Sequence, residues 1–294
     1  LGLGGNFISA TPDTEFTAKA LHNCNLTVQV STKLNRSHLI TGKKALILPC
    51  LGRTEKDFQT SGEQFVSVEN SMGVVHQSKG TLPACAKDLL SEPAIVAGLA
   101  IATLKNSKVP WKKLVGNYDG IRTKIEATIP GFTAYNKKVR KPNGFYLPNT
   151  ARANNFEKTS TGKANFTINA ISDIQLTADQ FIMMTVRTHD QYNTTIYGLD
   201  DRYRGVLNER RVIFMNENDM SKRGIKKLDV VDLQSHFKGK VREAKGFLAI
   251  PYSIPTQCTA TYFPEANVLV PIESTGRISN TPTSKAVVIT IHKR

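Results

Sequence analysis

The chain has 294 residues, 40% hydrophobic and 21% charged, a balance that excludes a disordered polypeptide and allows one large or two ordinary domains. No apolar run approaches the roughly 20 residues a membrane helix needs; the longest is Ala94 to Leu104, so a soluble protein with no membrane partner is expected. The formal charge of +15 is spread over both halves and asks for an anionic partner, either a ligand with several phosphates or a nucleic acid.

The opening, LGLGGNF, reads as a strand end followed by glycines that let the backbone turn tightly or approach a ligand. It has no signal-peptide pattern, and the expectation is a C-terminal piece of a longer chain. Pro12 and Asp13 begin a helix with Phe16, Ala20 and Leu21 on one face, and Leu26, Val28 and Val30 then alternate as a strand. The following run, STKLNRSHLITG, gathers Lys33, Asn35, Arg36, Ser37 and His38 into a polar cluster, for which a solvated loop is the plain alternative. Ala45 to Leu48 form another strand, stopped by Pro49. Strand, helix and strand at this pace predict part of a doubly wound α/β unit, although Leu-Gly-Leu-Gly-Gly-Asn is not a complete dinucleotide fingerprint.

Ser91-Glu92-Pro93 is a helix start with Ser at the N-cap. The helix should run to about Leu104 and bury Ile95, Leu99 and Ala102. Val109 to Ile129 reads as short helical segments carrying Trp111, Leu114 and Ile125, with Trp111 a packing anchor. Basic clusters lie at Lys108, Lys112 and Lys113 and at Lys137, Lys138, Arg140 and Lys141, without the aromatic interleaving or motif of a nucleic-acid binder. A Pro/Asn-rich stretch then sets the domain boundary in 143–161.

From Gly162 the chain changes to short strands, at Ala164 to Asn169, Phe181 to Val186, Val212 to Met215, Val230 to Leu233, Phe247 to Ile250 and Ala286 to Ile291, the profile of a small barrel or sandwich. Between them, Asn216 caps a turn of helix that ends at Gly224. Directly after the strand ending at Val186 come Arg187, His189, Asp190, Gln191, Asn193, Thr194 and Thr195. This concentration of donors and acceptors at a strand's C-terminal end suits a polar ligand, and a polar loop after a core strand is the alternative. Cys24, Cys50, Cys85 and Cys258 stand far apart, as reduced thiols of a cytoplasmic protein do, and cannot group around an iron–sulfur cluster.

The order of residues in THDQYNTTIYGLDDRYRG resembles the molybdopterin-dinucleotide-binding domain of molybdenum and tungsten oxidoreductases, and more narrowly their formate-dehydrogenase-like alpha subunits. Other segments match that family in sequence order: the Gly5-Asn6 turn, the strand Val28 to Val30, Ala45-Leu46-Ile47-Leu48-Pro49, Tyr262-Phe263-Pro264-Glu265-Ala266-Asn267 and Asn280 to Lys285. Departures are Leu46 in place of Asp, Val68 to Gly73 in place of an Asn followed by Glu-Gly-Arg, and Leu228 in place of the second Gly of the barrel signature.

The resemblance implies a mixed α/β protein. Its α/β part would occupy 1–142, a linker 143–161, and a double-psi β-barrel 162–294. It also implies a molybdopterin guanine dinucleotide carrying molybdenum or tungsten, with any iron–sulfur cluster in a missing N-terminal part. Arg187, His189, Asn193, Thr194, Asn267 and Lys285 would be cofactor contacts, joined by Gly5, Asn6, Lys33 and Asn35, with His189 a proton carrier. No residue of the chain stands as the metal ligand, so catalysis on a small-molecule substrate would need the full-length enzyme. A non-enzymatic basic barrel, binding nucleic acid or serving as an interaction scaffold, is the competing reading.

Overall fold

The computed structural model describes residues 1–171, 173–193, 196 and 198–294. These group into two compact units, one made of 1–29, 33–47 and 172–294, the other of 30–32 and 48–171. The N-terminal segment has strand β1 (Gly2–Leu3), helices α1 (Phe7–Ala10) and α2 (Thr14–His22), and strands β2 (Leu26–Ser31) and β3 (Lys44–Pro49), with sheet order β1-β2-β3. The strand–helix–strand unit read from the sequence is therefore present, and Gly4, at φ 62°, makes its first turn.

Asp13 sits at the N-cap of α2 without capping it. Its buried carboxylate instead accepts from the Arg242 guanidinium at 2.6 and 2.8 Å. The Asp13 amide donates to the Asn267 carbonyl at 2.9 Å, and the Asn267 side chain donates to the Ser9 carbonyl at 2.6 Å. Polar contacts thus fasten this segment to the C-terminal part of the same unit. Phe16, expected on an apolar face of α2, is exposed, because the side of the helix that packs is marked by Thr17.

In the second unit β4 (Asp57–Gln59) pairs with β5 (Gly62–Gln64), and β6 (Val66–Glu69) with β7 (Val74–Ser78). Helices α3 (Glu92–Thr103), α4 (Trp111–Gly116), α5 (Tyr118–Thr128) and α6 (Tyr135–Lys138) follow, and β8 (Phe145–Tyr146), inside the stretch read as linker, adds to β7. Val75, Tyr135 and Val139 form its buried core. Two expectations for α3 are corrected here. Ser91 precedes the helix as foreseen, but its hydroxyl pairs with the Tyr118 hydroxyl at 2.8 Å rather than capping. The helix packs through small residues, Ala97 and Ala100, and leaves Leu99 and Ala102 exposed.

The C-terminal region closes into a barrel of β9 (Gln180–Val186), β10 (Val212–Met215), β11 (Val230–Phe237), β12 (Lys240–Pro251), β13 (Cys258–Tyr262) and β14 (Val287–Lys293), in the order β10-β12-β11-β14-β9-β13. Two of its contacts are parallel, β9 with β13 and β10 with β12. Period-two alternation turns Val231, Leu233, Val287, Ile289 and Ile291 into one apolar core with Phe181, Met183 and Phe247. Closure leaves no strand edge open. The sequence missed β13, and the strand expected at Ala164 to Asn169 is exposed coil, since no described segment pairs with it and a strand exists only through its partners.

Between β10 and β11 lies α7 (Glu217–Lys222), with the Asn216 side chain accepting from the Asn218 amide at 2.9 Å and Gly224 at φ 62°. Leu228, which stands where the resembled signature has Gly, takes φ 68°. A leucine there is strained, because its Cβ crowds the backbone in the left-handed region. Leu228→Gly should therefore stabilise the fold by about 1 kcal/mol in chemical denaturation; a loss of stability would show that the exposed side chain contributes more than the strain costs.

Candidate functional site

The parallel register that sets Val186 opposite Tyr262 decides where the chain leaves the barrel. The loop after β9 is held by one buried carboxylate. The Asp201 side chain has no exposed surface and accepts from Arg204 at 2.6 Å, from the Tyr262 hydroxyl at 2.9 Å and from the Tyr203 amide at 3.2 Å. Arg204 also donates to the Arg187 carbonyl at 3.1 Å. The His189 ring lies against Tyr203, centroids 4.0 Å apart, with Nδ1 3.5 Å from Asp201 and half its side chain exposed.

A second network pins the far side of the loop. Buried Arg210 donates to both Glu265 oxygens at 2.9 and 3.1 Å, to the Phe263 carbonyl and to the Gln191 side chain. The Gln191 amide donates to the carbonyls of Asn193 and Phe263, both at 2.7 Å, and holds Asn193 in a left-handed turn at φ 47°.

On this scaffold two cations converge. Lys285 precedes β14 and donates to the Thr185 carbonyl at the end of β9. Burial, and then the charge of Arg187 beside it, lower the Lys285 amine below its ordinary range. Arg187 lies 5.7 Å from the centroid of the Phe263 ring. Between Arg187 and His189, the Thr188 hydroxyl is buried and finds no partner among the described residues. A buried unsatisfied hydroxyl costs about 1–3 kcal/mol.

The residues expected at a site fall into separate groups. Arg187, His189, Asn193 and Lys285 belong to the assembly after β9, and Thr194 lies outside the described residues. Asn6 and Asn35 meet around Ser37, whose hydroxyl donates to Asn6 and whose amide donates to Asn35, both at 2.9 Å. Gly5 precedes that Asn6, and Lys33 lies exposed just before Asn35. Asn267 is buried and holds α1. Sequence reasoning passed over Thr188, Asp201, Arg204 and Tyr262, although the first three lie in the contiguous polar stretch. Only the barrel's register reveals that Tyr262 reaches Asp201.

Burial alone pushes the Asp201 carboxyl up, but the hydrogen bonds from Arg204 and Tyr262 and the Arg204 charge outweigh it and hold it below the ordinary carboxylate range. The folded protein binds this proton less tightly than the unfolded chain does. Its stabilisation is therefore complete above the ordinary range and lost as the pH falls through the lowered value. Asp201→Asn should cost about 2–4 kcal/mol near neutrality and flatten the acid limb of stability measured by chemical denaturation; an unaltered acid limb would contradict this role.

Residues 181–288 match the family described as "Molydopterin dinucleotide binding domain". The chain is 49% identical to an "Uncharacterized oxidoreductase" of Mycobacterium tuberculosis, over 98% of this chain and 38% of the relative. It is 42% identical to "Protein YdeP" of Escherichia coli, over 97% of this chain and again 38% of the relative. It thus spans about 38% of the length of these curated relatives. Acetylene hydratase from Pelobacter acetylenicus shares the fold at a TM-score of 0.57 and 9% identity, covering 100% of this chain and 44% of that one. The region from β9 into β14 thus matches a molybdopterin dinucleotide-binding domain, within a chain that is similar along nearly its whole length to part of longer proteins, one of them named an oxidoreductase.

Proposed function

We propose that the chain is the C-terminal, cofactor-binding portion of a formate-dehydrogenase-like oxidoreductase that carries a bis-molybdopterin guanine dinucleotide with molybdenum or tungsten. The barrel would be of the double-psi kind and the whole enzyme cytoplasmic, with the metal ligand and any iron–sulfur cluster on the part of the protein beyond this chain. By itself the chain would be inert. Among its described residues no helix is long and apolar enough to cross a membrane.

The observation that carries this reading is the donor set after β9. A dinucleotide cofactor presents anionic phosphate oxygens and acceptor edges on pterin and sugar, which call for cations, hydroxyls and amides. Arg187 and Lys285 supply two adjacent cations, and the orphaned Thr188 hydroxyl is buried next to them. The set fits. An anion between Arg187 and Lys285 would relieve their mutual repulsion, and a cofactor oxygen would satisfy Thr188. Asn193 and Thr194 would complete the polar wall, Asn267 would support the site by holding α1, and Gly5, Asn6, Lys33 and Asn35 of the N-terminal segment would line it. His189 would move a proton at its exposed ring edge while Tyr203 and Asp201 fix its plane. When bound, the metal and its dithiolenes supply the redox chemistry; the reaction's small-molecule substrate and electron acceptor would be chosen largely by the rest of the enzyme.

In the full-length protein, Arg187→Ala and Lys285→Ala should each lower retained metal and acid-released GMP at least about tenfold without changing the circular dichroism spectrum. Thr188→Val should lower retention as well, yet leave the cofactor-free protein as stable or up to about 1 kcal/mol more stable, since it removes an unsatisfied hydroxyl. Full retention in all three variants would remove this site assignment.

A further inference from the structure

The second unit carries a groove of about 860 Å³ that the cofactor reading leaves unused. Its apolar wall is Ile101 and Leu104 at the end of α3, Val109 in the connection, and Trp111 at the start of α4. Ile101 and Leu104 are each 52% exposed, the consequence of α3 packing through alanines. Exposed apolar surface of this kind marks interaction sites more than solvated faces. Trp111 is fixed by donating its indole N–H to the Ser107 hydroxyl at 2.9 Å, and a rigid, amphipathic aromatic is a frequent anchor at protein interfaces.

Charge says what kind of occupant fits. Lys105, Lys112 and Lys113 line the groove and no carboxylate does. From Leu99 to Asn117 the chain has four lysines and no acidic residue, and none of the three lining lysines forms an ion pair among the described residues. A second copy of this chain, itself at +15, would bring like charge to the rim.

We propose that this groove docks an acidic, amphipathic segment of a partner protein, with an apolar side chain against Trp111 and carboxylates on the lysine rim. Complementary charge of this sort governs encounter and partner choice, and apolar anchors flanked by charge are a recurring peptide-recognition mode.

The test uses the full-length protein. Lysine-selective labelling read by mass spectrometry should modify Lys105, Lys112 and Lys113; their protection would mean that the protein's own chain fills the groove, and the proposal would fall. Binding is then measured by fluorescence anisotropy with a labelled peptide of about 20 residues, leucines at helical spacing and glutamates elsewhere, beside its lysine-for-glutamate counterpart. The acidic probe should bind and the basic one should not. The Lys105→Glu, Lys112→Glu and Lys113→Glu triple variant and Trp111→Ala should each weaken the acidic probe at least about tenfold, with Trp111→Phe largely restoring it. Equal binding of both probes, or indifference to the triple variant, would overturn the proposal.

Discussion

A carboxylate without exposed surface is the constraint on which the site depends. Removing Asp201 from water costs several kcal/mol unless donors surround it, and Arg204, Tyr262 and the Tyr203 amide do so. Each belongs to a different structural commitment. Tyr262 ends the barrel strand that runs parallel to β9, Arg204 reaches back to the Arg187 carbonyl, and Tyr203 supports the His189 ring. Barrel register therefore determines where the carboxylate sits, and the carboxylate determines how the loop presents its chemistry. Arg210, bridging Glu265, Gln191 and Phe263, performs the same service for the other side of the loop.

The paired cations make sense on that scaffold. Arg187 leaves the end of β9, and Lys285 arrives just before β14, whose Val287 pairs with Met183 of β9. Two residues nearly a hundred positions apart are thus forced together by antiparallel pairing. In the protein alone their proximity is unfavourable, and it adds to burial in depressing the lysine. Local cost of this type, like the unsatisfied Thr188 hydroxyl, concentrates where a ligand relieves it. The loop lies within the matched region, residues 181–288.

Much of this was readable from residue order. Contiguous polar residues after an apolar strand drew attention to the loop that carries Arg187 and His189, turn chemistry identified the Asn216 cap and the Gly224 stop, and the resembled signature singled out Leu228. Most barrel strands were visible through alternation. What was not visible required partners distant in sequence. The tie between Asp13 and Arg242 spans 229 residues, and nothing local in Pro12-Asp13 suggests it, so the grouping of residues 1–29 and 33–47 with the barrel could not be foreseen. Tyr262 reads as part of a matching segment and gains its role only through strand pairing. For α3, periodicity pointed to a large-residue face, but the helix packs through Ala97 and Ala100, where close approach is cheap. Strand propensity at Phe166 and Ile168 likewise yielded no strand without a neighbour to pair with.

The central claim is that this barrel holds a metal-bearing dinucleotide. Elemental analysis for molybdenum and tungsten on the purified full-length protein, made in a host competent in cofactor synthesis, with acid-released GMP quantified in the same sample, tests it most directly. The account predicts near-stoichiometric metal with about two GMP per metal. Absence of both metal and GMP from a folded preparation would contradict it, and would leave a barrel of this fold serving as a scaffold.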